Sequence, residues 1–224
     1  MEAFRKLMLV ALLSGTIAGL AWFAVQYAAV LPLIETAEKY EAASPDHHEH
    51  DEGWRPADGW QRNSLTALST VFTSIGFASI LFGVVSLTGR PMDARRGALW
   101  GMAAFACFAL APSLGLPPEP PGVEAAGVFE RQIRWSATAI ATAAGLFLLL
   151  RRANSWVPRL GGLACLAAPH LVGAPAASGA SVVPADLIRQ FMVASLCASA
   201  LFWLTLGAVG GFLYNRSVSR EAGR

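Results

Sequence analysis

Apolar residues in this chain are gathered into long runs, separated by shorter polar segments. The runs are roughly 20 residues long, about what a helix needs to cross a hydrocarbon core about 30 Å thick. Each run is predicted to be helical, because lipid offers no hydrogen-bonding partner to exposed backbone groups. We identify six candidate spans, at residues 7–31, 65–88, 98–114, 134–150, 160–174 and 187–213.

These spans predict an all-α fold, a polytopic integral membrane helical bundle of about six spans. The composition agrees, with 54% hydrophobic and 14% charged residues, against about 25% charged residues in soluble domains. We predict a single transmembrane domain over residues 1–216, which includes an outer loop at 32–63, followed by a cytoplasmic tail at 217–224. The fifth span is short and rich in glycine and proline, so a re-entrant segment is the alternative there.

The positive charges predict the orientation. With six crossings and an inner N-terminus, the inner segments contain most of the 17 Lys and Arg residues, as the positive-inside rule requires. If the fifth segment did not cross, Arg216 and Arg220 would lie outside, against that rule. Both termini are therefore predicted to be cytoplasmic. The inner residues are Arg5, Lys6, Arg90, Arg95, Arg96, Arg151, Arg152, Arg159, Arg216, Arg220 and Arg224.

A run of histidines and acidic residues stands out in the predicted outer loop. Residues 46–52 read Asp-His-His-Glu-His-Asp-Glu, and they hold His47, His48 and His50, three of the four histidines in the chain. Neutral imidazole suits Co²⁺, Ni²⁺, Cu²⁺ and Zn²⁺, and the carboxylates add charge that attracts divalent cations. Three imidazoles within four residues cannot close a rigid site, so we predict weak, exchangeable metal capture. The alternative is a solvated acidic loop that binds metal only adventitiously.

Two carboxylates, Glu35 and Glu38, follow Pro32 at the outer end of the first span. If the helix continues past Pro32, their i, i+3 spacing places both on one face. Two like charges so close repel each other unless a cation lies between them or one is protonated. We therefore expect a cation site here, with an ordinary solvated helix end as the alternative.

Glu119 and His170 are the remaining candidate ligands. Glu119 lies among four prolines at residues 117–121, which hold the backbone near polyproline geometry and so fix the carboxylate. His170 is the only histidine within a predicted span, and an ionisable group at that depth indicates function. The alternatives are a stiff spacer and a hydrogen bond to a neighbouring helix. Arg131 and Arg189 are placed to pair with the outer carboxylates and to order the loops instead.

A weak internal repeat relates the spans in pairs. Residues 111–114 (Ala-Pro-Ser-Leu) end the third span and residues 168–171 (Ala-Pro-His-Leu) end the fifth, and an Arg-Gln pair opens each returning span. We therefore predict three helical hairpins of parallel orientation, an arrangement that some transporters share. Small residues four apart predict close helix packing. These pairs are Gly15 and Gly19, Gly97 and Gly101, and Gly207 and Gly211.

Several function classes lack support in the sequence. There is no glycine-rich loop with the Gly-Lys-Ser/Thr ending that binds ATP phosphates, so ATP hydrolysis by that route is excluded. No nucleophile–base pair or cofactor motif is visible, and we predict neither enzymatic activity nor a cofactor. Nucleic acid is not an expected partner.

Motifs distributed along nearly the whole chain, from Phe4 to Arg216, resemble those of CbtA, the probable cobalt transporter subunit. Their order and joint presence carry the resemblance. The motifs are residues 32–38, the His-rich loop, residues 54–59 and 118–122, Arg131-Gln132 with Trp135, and residues 168–171 followed by 173–175.

The resemblance implies cobalt uptake in bacteria, linked to cobalamin synthesis. It also implies a small single-span, histidine-bearing companion subunit, CbtB, and a location in the bacterial inner membrane. The family is often described with five spans, against the six that we identify here.

We therefore predict a membrane subunit of a divalent transition-metal uptake transporter, with Co²⁺ as the transported ion and Ni²⁺ as the alternative. His47, His48 and His50 capture the ion, and a mouth follows at the helix ends. The partners are the lipid bilayer and a CbtB-like subunit, and homo-oligomerisation is left open. The alternative function is a non-transporting metal-binding sensor or assembly partner. The mouth residues are Glu35, Glu38, Glu119 and His170.

Overall fold

The computed structural model describes residues 1–43, 56–89, 91–151, 155–173, 175 and 181–222. All regular secondary structure in these residues is helical. The elements in chain order are α1 (Glu2–Val25), π1 (Gln26–Val30), α2 (Leu31–Ala42), α3 (Trp60–Leu87), α4 (Ala94–Phe105), π2 (Ala106–Leu110), α5 (Ala111–Ser113), α6 (Val128–Leu150), α7 (Val157–Val172) and α8 (Ala185–Ala222).

The elements join into six continuous helical stretches, which correspond to the six predicted spans and confirm the all-helical membrane fold. Four stretches are long and apolar enough to cross a bilayer. α7 is shorter, at 16 residues or about 24 Å. The helix of the first span runs on to Ala42, so the beginning of the predicted outer loop is helical. The four candidate membrane spans are Phe4–Ala42, Trp60–Leu87, Val128–Leu150 and Ala185–Ser217.

Large apolar side chains on the outside of these helices fit a lipid surrounding. Phe72, Ile140 and Leu171 are 65%, 70% and 85% exposed. A soluble monomer rarely leaves large contiguous apolar patches in water, whereas hydrocarbon solvates such side chains. These exposures therefore support the membrane assignment that composition predicts.

The chain divides into two compact units. Unit 1 contains Met1–Leu31, Asp46–Met102 and Cys197–Arg224, and unit 2 contains Pro32–Pro45 and Ala103–Leu196.

Unit 1 is packed through its glycines. A Cβ added to Gly15 of α1 would lie 2.6 Å from the Ile75 Cα of α3, and one added to Gly97 of α4 would collide with the Gly207 carbonyl of α8. Apolar side chains gain little by leaving lipid for another helix, so close backbone approach supplies the van der Waals contact that holds membrane helices together. All three predicted glycine pairs lie at such seams, which confirms that prediction.

Aromatic rings fill the rest of the unit 1 core. Trp22 stacks on Phe202 with ring centroids 4.5 Å apart, and Phe77 contacts Trp203 at 5.0 Å. The buried hydroxyl of Ser14 donates to the Val10 carbonyl of its own helix. Unit 1 thus has a tightly packed interior whose polar groups are satisfied locally.

Unit 2 is built around α6. A Cβ added to Gly145 of α6 would lie 2.9 Å from the Gly162 carbonyl oxygen of α7, so these two helices also meet at their backbones. The short helix α5 and the segment π2 also pack against α6. The ring of Trp135 on α6 lies 6.0 Å from that of Phe108 in π2.

Each π-helical segment ends two residues before a proline, Pro32 in one case and Pro112 in the other. Proline lacks the N–H that would bond four residues back, and its ring clashes with that carbonyl. The wider π turn accommodates Pro112, because the Ala111 N–H bonds the Ala106 carbonyl five residues back instead. The carbonyl freed by Pro112 belongs to Phe108, and the Trp135 indole N–H donates to it at 3.2 Å. A neighbouring helix therefore satisfies the group that the proline frees, as a membrane interior requires.

Candidate functional site

The three histidines of the acidic run, His47, His48 and His50, lie outside the described residues. The other predicted ligands, Glu35, Glu38, Glu119 and His170, are all described. They lie on α2, on the loop between α5 and α6, and on α7, and all of these belong to unit 2.

The helix does continue past Pro32, which fulfils the condition for Glu35 and Glu38 to share a face. π1 makes this continuation feasible, because the Leu31 N–H bonds the Gln26 carbonyl five residues back and opens the turn before the proline ring. At about 100° per residue, positions three apart lie about 60° apart around the helix. The two carboxylates therefore lie near each other on the surface of α2.

A third carboxylate, Glu41, extends this spacing by three more residues. Ala37 is fully buried and marks the packed face of α2. Glu41 lies four residues after Ala37, close to that face. Glu38 is half-buried and Glu35 is exposed. The three glutamates, which we name the α2 carboxylate series, therefore run from exposed to packed surface. The regular spacing of three residues between Glu35, Glu38 and Glu41 is visible in the sequence, but Glu41 is not among the predicted ligands.

The loop that carries Glu119 is fixed against its surroundings. Gly122 has a φ of +79°, which favours glycine, and a Cβ there would lie 3.0 Å from Val183 Cγ2 and 3.3 Å from Glu41 Cβ. The Val182 N–H donates to the Gly122 carbonyl at 3.4 Å. The loop thus lies between the end of α2 and the segment that leads into α8, close to the α2 carboxylate series.

Glu119 itself has a partner. Its Oε2 lies 3.7 Å from Nη2 of Arg131, and the two side chains are 23% and 37% exposed. Such a partly solvated pair contributes on the order of 1 kcal/mol or less to stability. Arg189 likewise pairs with Asp186. The prediction that these two arginines pair with acidic residues is therefore confirmed.

His170 lies in the last turn of α7 and is half-buried. Its neighbour Pro169 is buried within the helix, and α7 ends at Val172, followed by the C-cap residue Gly173, whose φ is +83°. This end of α7 lies beside the start of α6, since residues of both line one groove. The carbonyl end of a helix carries a partial negative charge, and His170 lies in the last turn before that end.

The four described candidates are thus placed at helix ends and in a loop of unit 2, but not as one closed ligand set. Within the described residues, no group of three or more His, Cys, Asp or Glu side chains is arranged to hold a metal ion. Glu35 faces away from the packed side of α2, and Glu119 is engaged by Arg131. The geometry fits separate, weak contacts with a hydrated ion better than a rigid tetrahedral site.

Like Glu41, two charged residues of α6 in this region are absent from the predicted site. Glu130 and Arg134, four residues apart on α6, line a groove between α6 and α7. The i, i+4 spacing was the available signal, but nothing in the sequence indicates which helix faces them.

Comparison with known proteins agrees with the resemblance seen in the sequence. Residues 4–215 match the family model CbtA, described as "Probable cobalt transporter subunit (CbtA)". No curated protein and no solved structure gives a match. The family match covers nearly all of the chain, including the α2 carboxylate series, Glu119 and His170. The chain therefore belongs to the CbtA family of probable cobalt transporter subunits.

Proposed function

We propose that this chain is the membrane subunit through which Co²⁺ enters the cell, with its ion-handling residues at the outer end of unit 2. The family match over residues 4–215 carries the proposal, and the apolar helices place the chain in a membrane. The charge asymmetry of the sequence supports cytoplasmic termini in a bacterial inner membrane.

The outer loop performs the first step in this proposal. His47, His48 and His50 follow the end of α2 at Ala42 by a few residues of sequence. Imidazole is a suitable ligand for Co²⁺. The acidic neighbours raise the local cation concentration, and weak binding lets the ion leave again.

The α2 carboxylate series then guides the ion. Glu35 is exposed, Glu38 is half-buried, and Glu41 lies beside the fixed loop at Gly122. Each carboxylate can replace part of the water shell of the ion without enclosing it. The negative end of α2 adds to the attraction.

Glu119 and His170 complete the proposed mouth. Oε2 of Glu119 lies 3.7 Å from Nη2 of Arg131, and a carboxylate has a second oxygen that can bind a cation. His170 offers a nitrogen ligand near the carbonyl end of α7. Mixed oxygen and nitrogen ligands suit Co²⁺ and Ni²⁺ alike, so ligand type alone does not separate the two ions.

The family description names a subunit, which implies a partner. We propose a small, single-span, histidine-bearing companion of the CbtB type. No enzymatic step and no resident cofactor are part of the proposed transport.

Uptake of radiolabelled Co²⁺ and Ni²⁺ in a host that lacks its own importers tests this function. The chain is expressed with and without the companion, and the counts are normalised to the amount of inserted protein. We expect Co²⁺ accumulation that requires this chain and exceeds that of Ni²⁺. Binding of Co²⁺ without accumulation, even with the companion present, would favour a sensor or assembly partner. Preferential accumulation of Ni²⁺ would show that Ni²⁺, and not Co²⁺, is the main substrate.

A further inference from the structure

Helices α6 and α7 leave an open groove of about 640 Å³ along unit 2. Its volume lies within the roughly 300–1,000 Å³ of typical small-molecule sites, which are mostly apolar with a few polar groups that fix orientation. The lining fits that description, since it is almost wholly apolar apart from one end. The α6 residues that line it are Glu130, Ile133, Arg134, Ala137, Thr138 and Ala141.

The two charged residues of the groove lie together at the start of α6. Glu130 and Arg134 are four residues apart and therefore share a helix face. Arg134 is half-buried. Among the ion pairs within 4.0 Å formed by the described residues, none joins Glu130 to Arg134. The groove thus presents one negative and one positive charge side by side, above an apolar channel.

The depth of the groove matches one leaflet of a bilayer. From Glu130 to Ala141 the helix rises about 16 Å, which is about half of a hydrocarbon core about 30 Å thick. α6 is a candidate membrane span that begins at Val128. Its charged end therefore lies at the level of lipid headgroups, and the apolar part lies at the level of acyl chains.

We propose that this groove binds one phospholipid whose headgroup carries both a phosphate and a primary ammonium, that is, a phosphatidylethanolamine. Arg134 holds the phosphate through charge-assisted hydrogen bonds, and Glu130 accepts hydrogen bonds from the ammonium. One acyl chain follows Ala137 and Ala141 on α6 and Ala168 on α7. Phosphatidylglycerol has a purely anionic headgroup, which would place a negative charge beside Glu130. Phosphatidylcholine has a quaternary ammonium, which has no N–H to donate to Glu130.

Native mass spectrometry tests the proposal with the full chain. The purified protein is equilibrated with equal amounts of phosphatidylethanolamine, phosphatidylcholine and phosphatidylglycerol that have identical acyl chains. We expect one retained phosphatidylethanolamine, in preference to the other two lipids. Arg134→Gln and Glu130→Gln should each lower its retention by about tenfold or more, which corresponds to the loss of one charged hydrogen bond.

A matched pair of variants tests the acyl channel. Ala137→Phe fills the groove and should abolish retention. Ala143→Phe places the same ring on an exposed part of α6 outside the groove and should leave retention unchanged. Arg134→Lys, which keeps the charge, should retain part of the binding, and lipid-free Arg134→Gln should unfold like the wild type, which separates a lost contact from misfolding. Thermal unfolding provides a second readout, because phosphatidylethanolamine should raise the Tm of the wild type and not that of Glu130→Gln.

Equal retention of all three lipids would overturn the proposal, because it would indicate ordinary annular lipid. An equal loss in Ala137→Phe and Ala143→Phe would contradict it as well. So would crosslinking from residue 137 that captures a second protein helix in place of lipid.

Discussion

Unit 1 and unit 2 are both made of closely packed apolar helices, but they use their charged groups differently. In unit 1 the described ion pairs are local, between residues three or four apart, as in Arg62 with Asp58 and Arg96 with Asp93. In unit 2 the pair of Glu119 and Arg131 joins a loop to a helix. Unit 2 shares the local type of ion pair and the glycine seam, and it differs from unit 1 by this additional contact between a loop and a helix. We infer that the packed helices of unit 1 are a scaffold, and that the ion, once captured by the His-rich loop, passes a mouth formed by unit 2.

The largest expected effect is on the stability of unit 1. In Gly207→Ala the new Cβ collides with the Gly97 carbonyl, so the helices must separate. Overpacking of this kind costs about 1–3 kcal/mol. Gly76→Ala is the control, because a Cβ there meets nothing within 4 Å and removing a helix glycine stabilises by about 0.5–1 kcal/mol.

Unfolding of the two variants in detergent gives the comparison, and Co²⁺ uptake per folded molecule should match the wild type in both. Equal stability of the two variants would contradict the tight seam. Reduced uptake per folded Gly207→Ala would contradict the division into scaffold and ion-handling units.

The next effect is on transport through unit 2. Glu38→Gln and His170→Ala each remove a proposed contact with the ion, and the loss of a residue that only orients a metal ligand already costs about tenfold or more. Uptake should fall at all Co²⁺ concentrations, while the unfolding free energy changes little. If one of these variants regains wild-type uptake at high Co²⁺, the replaced residue takes part in the capture step and not in the mouth.

A smaller, concentration-dependent effect is expected in the outer loop. Replacing His47, His48 and His50 together by alanine removes the capture ligands, and uptake should fall by less than about tenfold, only at low Co²⁺, because local enrichment matters only there. The full concentration curve is the measurement. Equal small losses in this variant and in Glu38→Gln would remove the distinction between capture loop and mouth.

The smallest effect concerns the loop pair. Arg131→Gln breaks the partly solvated contact with Glu119 and should cost on the order of 1 kcal/mol or less. Thermal unfolding at low and high salt measures it, and the difference from wild type should shrink at high salt. A loss of several kcal/mol would show that the loop is held mainly through Arg131. The contacts of Gly122 would then be secondary.

The helices could be predicted from the sequence because their signals are local. The apolar runs, the glycine pairs and the i, i+3 spacing of Glu35 and Glu38 all follow from helix geometry. The response to proline could not be predicted so fully. Pro112 indicates a disturbed helix, but the π turn and the use of the Phe108 carbonyl depend on Trp135, 27 residues away. The pairing of a helix with a neighbour is a tertiary property.

The candidate site, like the fold, could be predicted from the sequence only in part. The chemistry of their side chains indicates Glu38, Glu119 and His170 as ligands. The order of residues along the chain also predicts that Arg131 pairs with an acidic residue. Neither shows that Glu41 approaches the loop at Gly122, or that α6 and α7 leave a groove beside Glu130. Such features arise where segments distant in sequence meet, and no local pattern specifies that meeting.

We infer that the ion passes the mouth carboxylates of unit 2 and that the packed helices of unit 1 take no part in its passage. Co²⁺ uptake by Glu38→Gln and by Asp93→Asn, each normalised to inserted protein, tests it most directly. Asp93 is a half-exposed carboxylate of unit 1 that caps α4 by accepting a hydrogen bond from the Arg96 N–H at 2.8 Å. Asparagine keeps that cap. We expect about tenfold lower uptake in Glu38→Gln and unchanged uptake in Asp93→Asn. Equal uptake in the two variants would contradict the claim.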